Sequence, residues 1–126
     1  MKSNLKRTAW SYYAVFLLSF YLYFWHYYLN MKKLSRSEVT VLIKTVPTWK
    51  LKGKNIEKTF TLEDFNQAIW FLNKLALICE ENNHHPDINI RWNKVYLSLT
   101  THDSDGLTKK DFIVAKKADA IFGNLV

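Results

Sequence analysis

The sequence predicts an α+β domain in which helices pack on one face of a four-stranded antiparallel sheet, in the order α-β-β-α-β-β-α. Three observations point there. Segments of the form Ser/Thr-x-x-acid stand at Ser35 to Glu38, Thr61 to Asp64 and Thr108 to Asp111, each ahead of an apolar pattern of helical period. Between them lie two pairs of short runs that alternate apolar and polar residues across a turn, as strands with one buried face do. Finally, 126 residues that are 48% hydrophobic and 16% aromatic suit one small domain built on a single core.

Leu34 opens the regular part of the chain. Ser35-Arg36-Ser37-Glu38 has the capping-box form, in which Ser35 and Glu38 reciprocally satisfy free backbone N–H groups. Val39, Leu42, Ile43 and Val46 follow at helical spacing, Leu34 and Val39 can close a hydrophobic staple, and Pro47 stops the helix. Trp49 and Leu51 alternate with lysines, Lys52-Gly53-Lys54-Asn55 reads as a turn, and residues 56–61 alternate again, which predicts a hairpin. Thr61-Leu62-Glu63-Asp64 repeats the capping pattern and launches the longest helix, to about residue 81. Phe65, Ala68, Ile69, Leu72, Leu75, Ala76 and Cys79 give that helix a broad apolar face able to cover a sheet. Ile88, Ile90 and Trp92 then alternate with Asn89 and Arg91, an Asn93-Lys94 turn follows, and Val95, Leu97 and Leu99 alternate with polar neighbours. Thr108-Lys109-Lys110-Asp111 starts the final helix, whose apolar members include Phe112, Ile113, Ala115, Ile121 and Phe122.

Ahead of Leu34 the pattern differs, and the chain reads as an aromatic-rich leader over residues 1–33 followed by a domain over residues 34–126. Residues 9–30 hold no Lys, Arg, Asp or Glu, and a helix of that length reaches roughly 30 Å, enough to cross a bilayer core. A membrane anchor is one expectation; an upstream extension preceding a true start at Met31 is the other. Tyrosine and tryptophan fill the middle of the stretch as well as its ends, which weighs against the anchor, and no small-x-small cleavage site follows it.

The formal charge of +7 is mostly a property of this leader, because all 11 acidic residues lie beyond residue 33 while Lys2, Lys6, Arg7, Lys32 and Lys33 lie within it. Lys50, Lys52, Lys54 and Lys58 form a local basic strip, read as a solvated face; no recognition helix or aromatic-basic signature accompanies it, so nucleic acid is not an expected partner. Cys79 is the single cysteine and has no partner for an internal disulfide, which fits a small core residue in a cytoplasmic, reducing compartment.

Three of the four histidines, His84, His85 and His102, flank the second hairpin, which could bring them together. Imidazole, with an unperturbed pKa of about 6.5, can act as acid or base near neutrality. Three histidines would also suffice in number for zinc, but side chains of adjacent residues diverge and no H-E-x-x-H spacing is present, so neither a metal nor a cofactor is expected. A competing reading is a non-enzymatic module that dimerises or regulates through an exposed strand edge.

Glu80, then His84-His85-Pro86 after three positions, Trp92 after five more, His102 after nine more, and Asp111 form a long-range pattern. With Asp64-Phe65-Asn66, Asn93-Lys94-Val95, Thr101-His102 and Gly106-Leu107-Thr108, it resembles the pterin-4a-carbinolamine dehydratases over about three quarters of the chain, from Leu34 onward. Many such proteins have an acidic residue and then Trp after His-His-Pro, whereas Asp87 is followed by Ile88 here. The resemblance implies loss of water from a 4a-hydroxytetrahydropterin to give quinonoid dihydropterin, in tetrahydropterin recycling, by acid–base catalysis. It implies His84, His102 and His85 as the catalytic residues, His84 and His102 as the proton-transfer pair and His85 holding the substrate or aiding the leaving hydroxyl. Glu80, Pro86, Trp92, Thr101, Asp103 and Asp111 are the implied substrate-site residues, and a homodimer or homotetramer is the implied assembly. Glu80 stands four residues before His84, so a helix persisting that far would let its carboxylate orient the ring. Trp92 is a candidate wall for the flat pterin and, taken alone, a core residue. Asp111 has two competing roles, helix cap and site member.

Overall fold

The structure, a computed structural model, describes the backbone of residues 2–125 and the side chains of residues 11–125. The chain divides into two compact units, residues 1–30 and residues 31–126. The first is helix α1 (Lys2–Met31), whose described apolar side chains from Tyr12 to Leu29 are exposed; His26 shares a 3.0 Å hydrogen bond with Asn30 one turn on. No helix among the described residues is long and apolar enough to cross a membrane. Residues 9–30, the stretch read as a possible anchor, hold six of the chain's seven tyrosines together with Trp10, Trp25, His26 and two serines, and these lower its mean hydropathy.

The second unit runs α2 (Arg36–Leu42), β1 (Lys50–Lys52), β2 (Asn55–Thr61), α3 (Phe65–Asn82), β3 (Asp87–Arg91), β4 (Lys94–Leu99) and α4 (Lys109–Gly123), with 3₁₀ turns at Ile43–Thr45 and His102–Ser104. The four strands form one antiparallel sheet in the order β1-β2-β4-β3. Both hairpins arise from short connections, and the second hairpin's β4 then pairs with β2, so the sheet closes around a long-range pair in which Phe60 faces Val95 and Ile56 faces Leu99. The buried face carries Ile56, Phe60, Val95, Leu97 and Leu99; Ala68, Phe71, Leu75 and Cys79 of α3 and Phe112, Val114, Ala115 and Ala118 of α4 complete the same core. Phe60 is the centre of an aromatic group, with ring centroids 4.8 Å from Phe71, 5.3 Å from Phe122 and 5.9 Å from Trp49.

Local signals hold where they are local. Ser35 and Glu38 form the reciprocal capping box of α2, and Thr108 and Asp111 that of α4. Helix α3 is different: its cap is Asp64, not Thr61, with Asp64 Oδ1 accepting from Gln67 N at 2.8 Å while Gln67 Oε1 accepts from Glu63 N. The buried stripe of α3 is also rotated from the expected one. Ala68, Phe71, Leu75 and Cys79 point inward, whereas Phe65, Ile69 and Ala76 are exposed, because α4 shares the sheet face and confines α3 to a narrower contact.

Two further departures concern the strands. The β3–β4 turn is Trp92-Asn93 rather than Asn93-Lys94, since Arg91 and Lys94 are the last paired residues. Lys58, expected in a solvated strip, lies on the core side of β2 with its side chain only 13% exposed. Its ammonium meets Asp119 at 2.6 Å and Thr48 Oγ1 at 2.8 Å and sits 4.4 Å from the centre of the Phe60 ring. Asp119 also accepts from Trp49 Nε1 at 3.1 Å, so one carboxylate ties α4 to β2 and to the segment before β1.

Two outcomes follow from this packing. Asp119→Ala leaves the Lys58 ammonium and the Trp49 N–H without this acceptor and should lower stability by about 1–3 kcal/mol in urea unfolding, less than a fully buried pair because both partners keep some solvent. Burial pushes the Cys79 thiol up to about 11, so at pH 8 it should resist thiol reagents in the folded protein and react when urea unfolds it.

Candidate active site

Three chain ends meet at the site, and each is shaped by its own sequence. At the C-terminus of α3, Asn83 takes the left-handed conformation (φ 44°), His84 N donates to Cys79 O at 3.0 Å and Asn83 N donates to Glu80 O at 3.1 Å. This is a Schellman closure, with asparagine in the place glycine often holds. It reverses the chain and carries the His84 ring inward, where the residue is 8% exposed. At the start of α4, Thr108 caps the helix and Asp111, fully buried, closes the capping box. Past the end of β4, Thr101 is fixed by paired backbone hydrogen bonds with Gly106.

The Asp111 carboxylate joins the three. Its Oδ1 lies 2.7 Å from His84 Nε2. Its Oδ2 accepts from the Thr101 hydroxyl at 2.8 Å and from Thr108 N at 2.7 Å. With the Thr101 proton given to Asp111, the 2.8 Å contact between the two threonine hydroxyls is a donation from Thr108 to Thr101. A buried carboxylate needs this many donors, and the positive end of the α4 dipole faces it as well. An ionised carboxylate can only accept, so Nε2 donates to it, which fixes the His84 tautomer and makes Nδ1 the ring's free lone pair. No hydrogen bond to Nδ1 forms among the described residues.

The other expected residues divide into those near this group and those away from it. His85 is exposed and its Nε2 pairs with Glu80 Oε1 at 2.8 Å. Glu80 therefore serves His85, not His84; the helical spacing fails because α3 ends at Asn82 and the left-handed Asn83 turns His84 off the helix face. Pro86 is half-buried and leads into β3. His102 and Asp103 are exposed on the 3₁₀ turn, and His102 directly follows Thr101, which shares the Asp111 carboxylate with His84. Thr101 is buried and spends its hydroxyl on Asp111 and Thr108, so its side chain is part of the support of the site rather than a ligand-facing group. Trp92 stands at the tip of the second hairpin with φ 52° and 68% exposure, neither core nor beside His84. Asp87 pairs with Ser98 at the histidine end and Arg91 with Lys94 at the tip, so about four residues of strand, on the order of 14 Å, separate Trp92 from the site.

Thr108, placed by the sequence as a helix cap and within the Gly106-Leu107-Thr108 run but not as a site residue, joins the group through the Thr101 hydroxyl seven residues earlier, once Gly106 closes the loop between them. Among the described residues, no three His, Cys, Asp or Glu side chains converge in a way that could hold a metal ion.

Comparison with known proteins concerns the same part of the chain. The sequence profile of the family described as "Pterin 4 alpha carbinolamine dehydratase" matches residues 32–121. A protein of Sulfurisphaera tokodaii, provisionally described as a pterin-4-alpha-carbinolamine dehydratase, is 47% identical over 91 residues, covering 72% of this chain and 98% of the relative. One of Chloroflexus aurantiacus with the same provisional description is 45% identical over 93 residues, covering 74% of this chain and 100% of the relative. Among solved structures, the transcriptional coactivator/pterin dehydratase of Brucella melitensis superposes with a TM-score of 0.70 at 32% identity, over 73% of this chain and 100% of that one. A pterin dehydratase-like protein identified as a RuBisCO assembly factor in the alpha-carboxysome gives a TM-score of 0.54 at 29% identity, over 60% of this chain and 90% of that one. With its profile, its relatives and its α+β fold in agreement, the chain belongs to the pterin-4-alpha-carbinolamine dehydratase family, a family of hydro-lyases.

Proposed function

We propose that this protein removes water from a 4a-hydroxytetrahydropterin to give the quinonoid dihydropterin, in the recycling of a tetrahydropterin, with His84 and His102 as the proton-transfer pair and His85 placing the substrate. The observation that carries the assignment is the buried Asp111 carboxylate bonded to His84 Nε2, which presents Nδ1 as a base of fixed orientation. In the reaction, the N5–H bond and the C4a–OH bond break, the C4a=N5 double bond forms, and water leaves. His84 Nδ1 takes the N5 proton, and Asp111 faces the charge the ring acquires. His102, one residue beyond Thr101, delivers a proton to the departing hydroxyl. Glu80 holds the exposed His85 ring. Positioned acid–base catalysis of this kind is typically worth about 10²- to 10⁴-fold, which suits a carbinolamine already poised to collapse.

Two features support an assembly of identical chains, a dimer or tetramer. Strand β3 is an edge of the sheet with Ile88 half exposed, and Phe65 and Ile69 leave an apolar flank on α3. The single buried cysteine fits the cytoplasm as its compartment. A solved neighbour of this fold is described as an assembly factor, so a binding-only module is the rival reading. The buried His84–Asp111 pair, with one ring nitrogen left to act, favours the enzyme.

The decisive measurement is the decay of a 4a-hydroxytetrahydropterin near pH 7. His84→Ala and His102→Ala should each slow the catalysed rate by about 10²- to 10⁴-fold; no acceleration by the wild type, or full activity in both variants, would refute the assignment. Asp111→Asn retains a side-chain oxygen for Thr108 N but places no carboxylate against His84, so it should lose at least about tenfold in kcat with the helical circular dichroism preserved. Light scattering at micromolar concentration should give at least twice the monomer mass; a monomer alone would overturn the assembly.

A further inference from the structure

His102 stands on a 3₁₀ turn of three residues, His102–Ser104, a length with little stability of its own. From within, the turn is closed by Ser104 N to Thr101 O at 3.1 Å, Asp105 N to His102 O at 2.9 Å and the Thr101–Gly106 pair. From outside, it is gripped by two segments far away in sequence. The Ser104 hydroxyl donates to Met31 O at 2.6 Å, and Leu34 N donates to Leu107 O at 2.8 Å. Lys54, in the β1–β2 turn, meets Asp105 Oδ1 at 2.5 Å, while its own carbonyl accepts from Thr100 Oγ1 at 2.8 Å. Lys33 reaches Asp105 Oδ2 at 3.6 Å, and its stem lies so close over Gly106 that a Cβ there would stand 2.9 Å from Lys33 Cε.

Asp105 is thus the one loop residue on which two cations from separate segments converge, one on each carboxylate oxygen. Its backbone is left-handed, φ 51°, a conformation that glycine takes without strain and aspartate tolerates. The carboxylate is what glycine could not supply. We propose that Asp105, clamped by Lys54 and Lys33, is a positioning residue that holds His102 in register with His84. The inference rests on the catalytic reading of His102 given above.

The clamp is charged throughout the working range. Lys54, and then Lys33, hold the Asp105 carboxyl below the usual carboxylate range. A depressed acid contributes above its unfolded value and is lost only as pH falls through the lowered one, so neutral pH does not titrate it. Salt does weaken it, because all three side chains are exposed. Single exposed pairs hold little, and two sharing one acceptor with a backbone-anchored lysine hold somewhat more, so the expected effect is modest.

The experiment compares the wild type with Asp105→Asn and Asp105→Gly, both of which accept a left-handed backbone, and with Lys54→Met, in the carbinolamine assay. Each variant should show kcat reduced by about three- to tenfold at unchanged KM. Raising salt to 1 M should bring wild-type kcat toward that of the variants and leave that of the two Asp105 variants unaltered. In a His102→Ala background, Asp105→Gly should cause no further loss. If His102→Ala is fully active, the catalytic reading falls and the clamp with it. If His102→Ala is impaired while Asp105→Gly keeps wild-type kcat, or changes KM alone, or adds its loss to that of His102→Ala, the clamp is overturned and the catalytic reading stands.

Discussion

One buried carboxylate organises the site. Asp111 is fully buried, and burying a charge without partners is among the costliest steps a fold can take. It is tolerable here because His84 comes from the end of α3, Thr101 from the end of β4 and Thr108 from the start of α4, each supplying a donor. None of these donors is near Asp111 before the chain folds except Thr108. The carboxylate therefore does for polar groups what Phe60 does for the aromatic ones: it is the point on which separate elements agree.

The competition between two roles for Asp111 dissolves on inspection of its two oxygens. Oδ2 closes the capping box and Oδ1 holds the imidazole, so the same residue starts a helix and fixes the His84 ring. The sequence made both roles visible, and only geometry shows that they do not exclude each other. Capping boxes were legible because they are contained in four residues, and strands because their period is short. Most of the fold was readable for that reason.

What was not legible depended on contacts between distant segments. Glu80 and His84 satisfy helical spacing, but a single left-handed asparagine ends the helix between them and hands Glu80 to His85. Trp92 continues the apolar parity of β3, yet the hairpin needs its backbone for the turn and leaves the ring in solvent. Phe71 rather than Ile69 is buried because the position of α4 sets which flank of α3 meets the sheet. Lys58 looked like one of several solvated lysines; its aliphatic stem and its charge both find partners only when α4 brings Asp119 and Phe122 across β2. Charge counts and periodicity carry no information about such partners.

The His84–Asp111 bond bridges 27 residues of chain, including the whole second hairpin. Closing that span has an entropic cost that neither residue can meet before α3 and α4 dock on the sheet. A nascent chain therefore exposes His84, His85 and His102 well before His84 has its acceptor, and it gains that acceptor only once α4 has emerged from the ribosome and packed. On the proposed role of His84, turnover would serve as a reporter of completed tertiary structure, silent in any collapsed intermediate that has its secondary structure but has not seated its last helix.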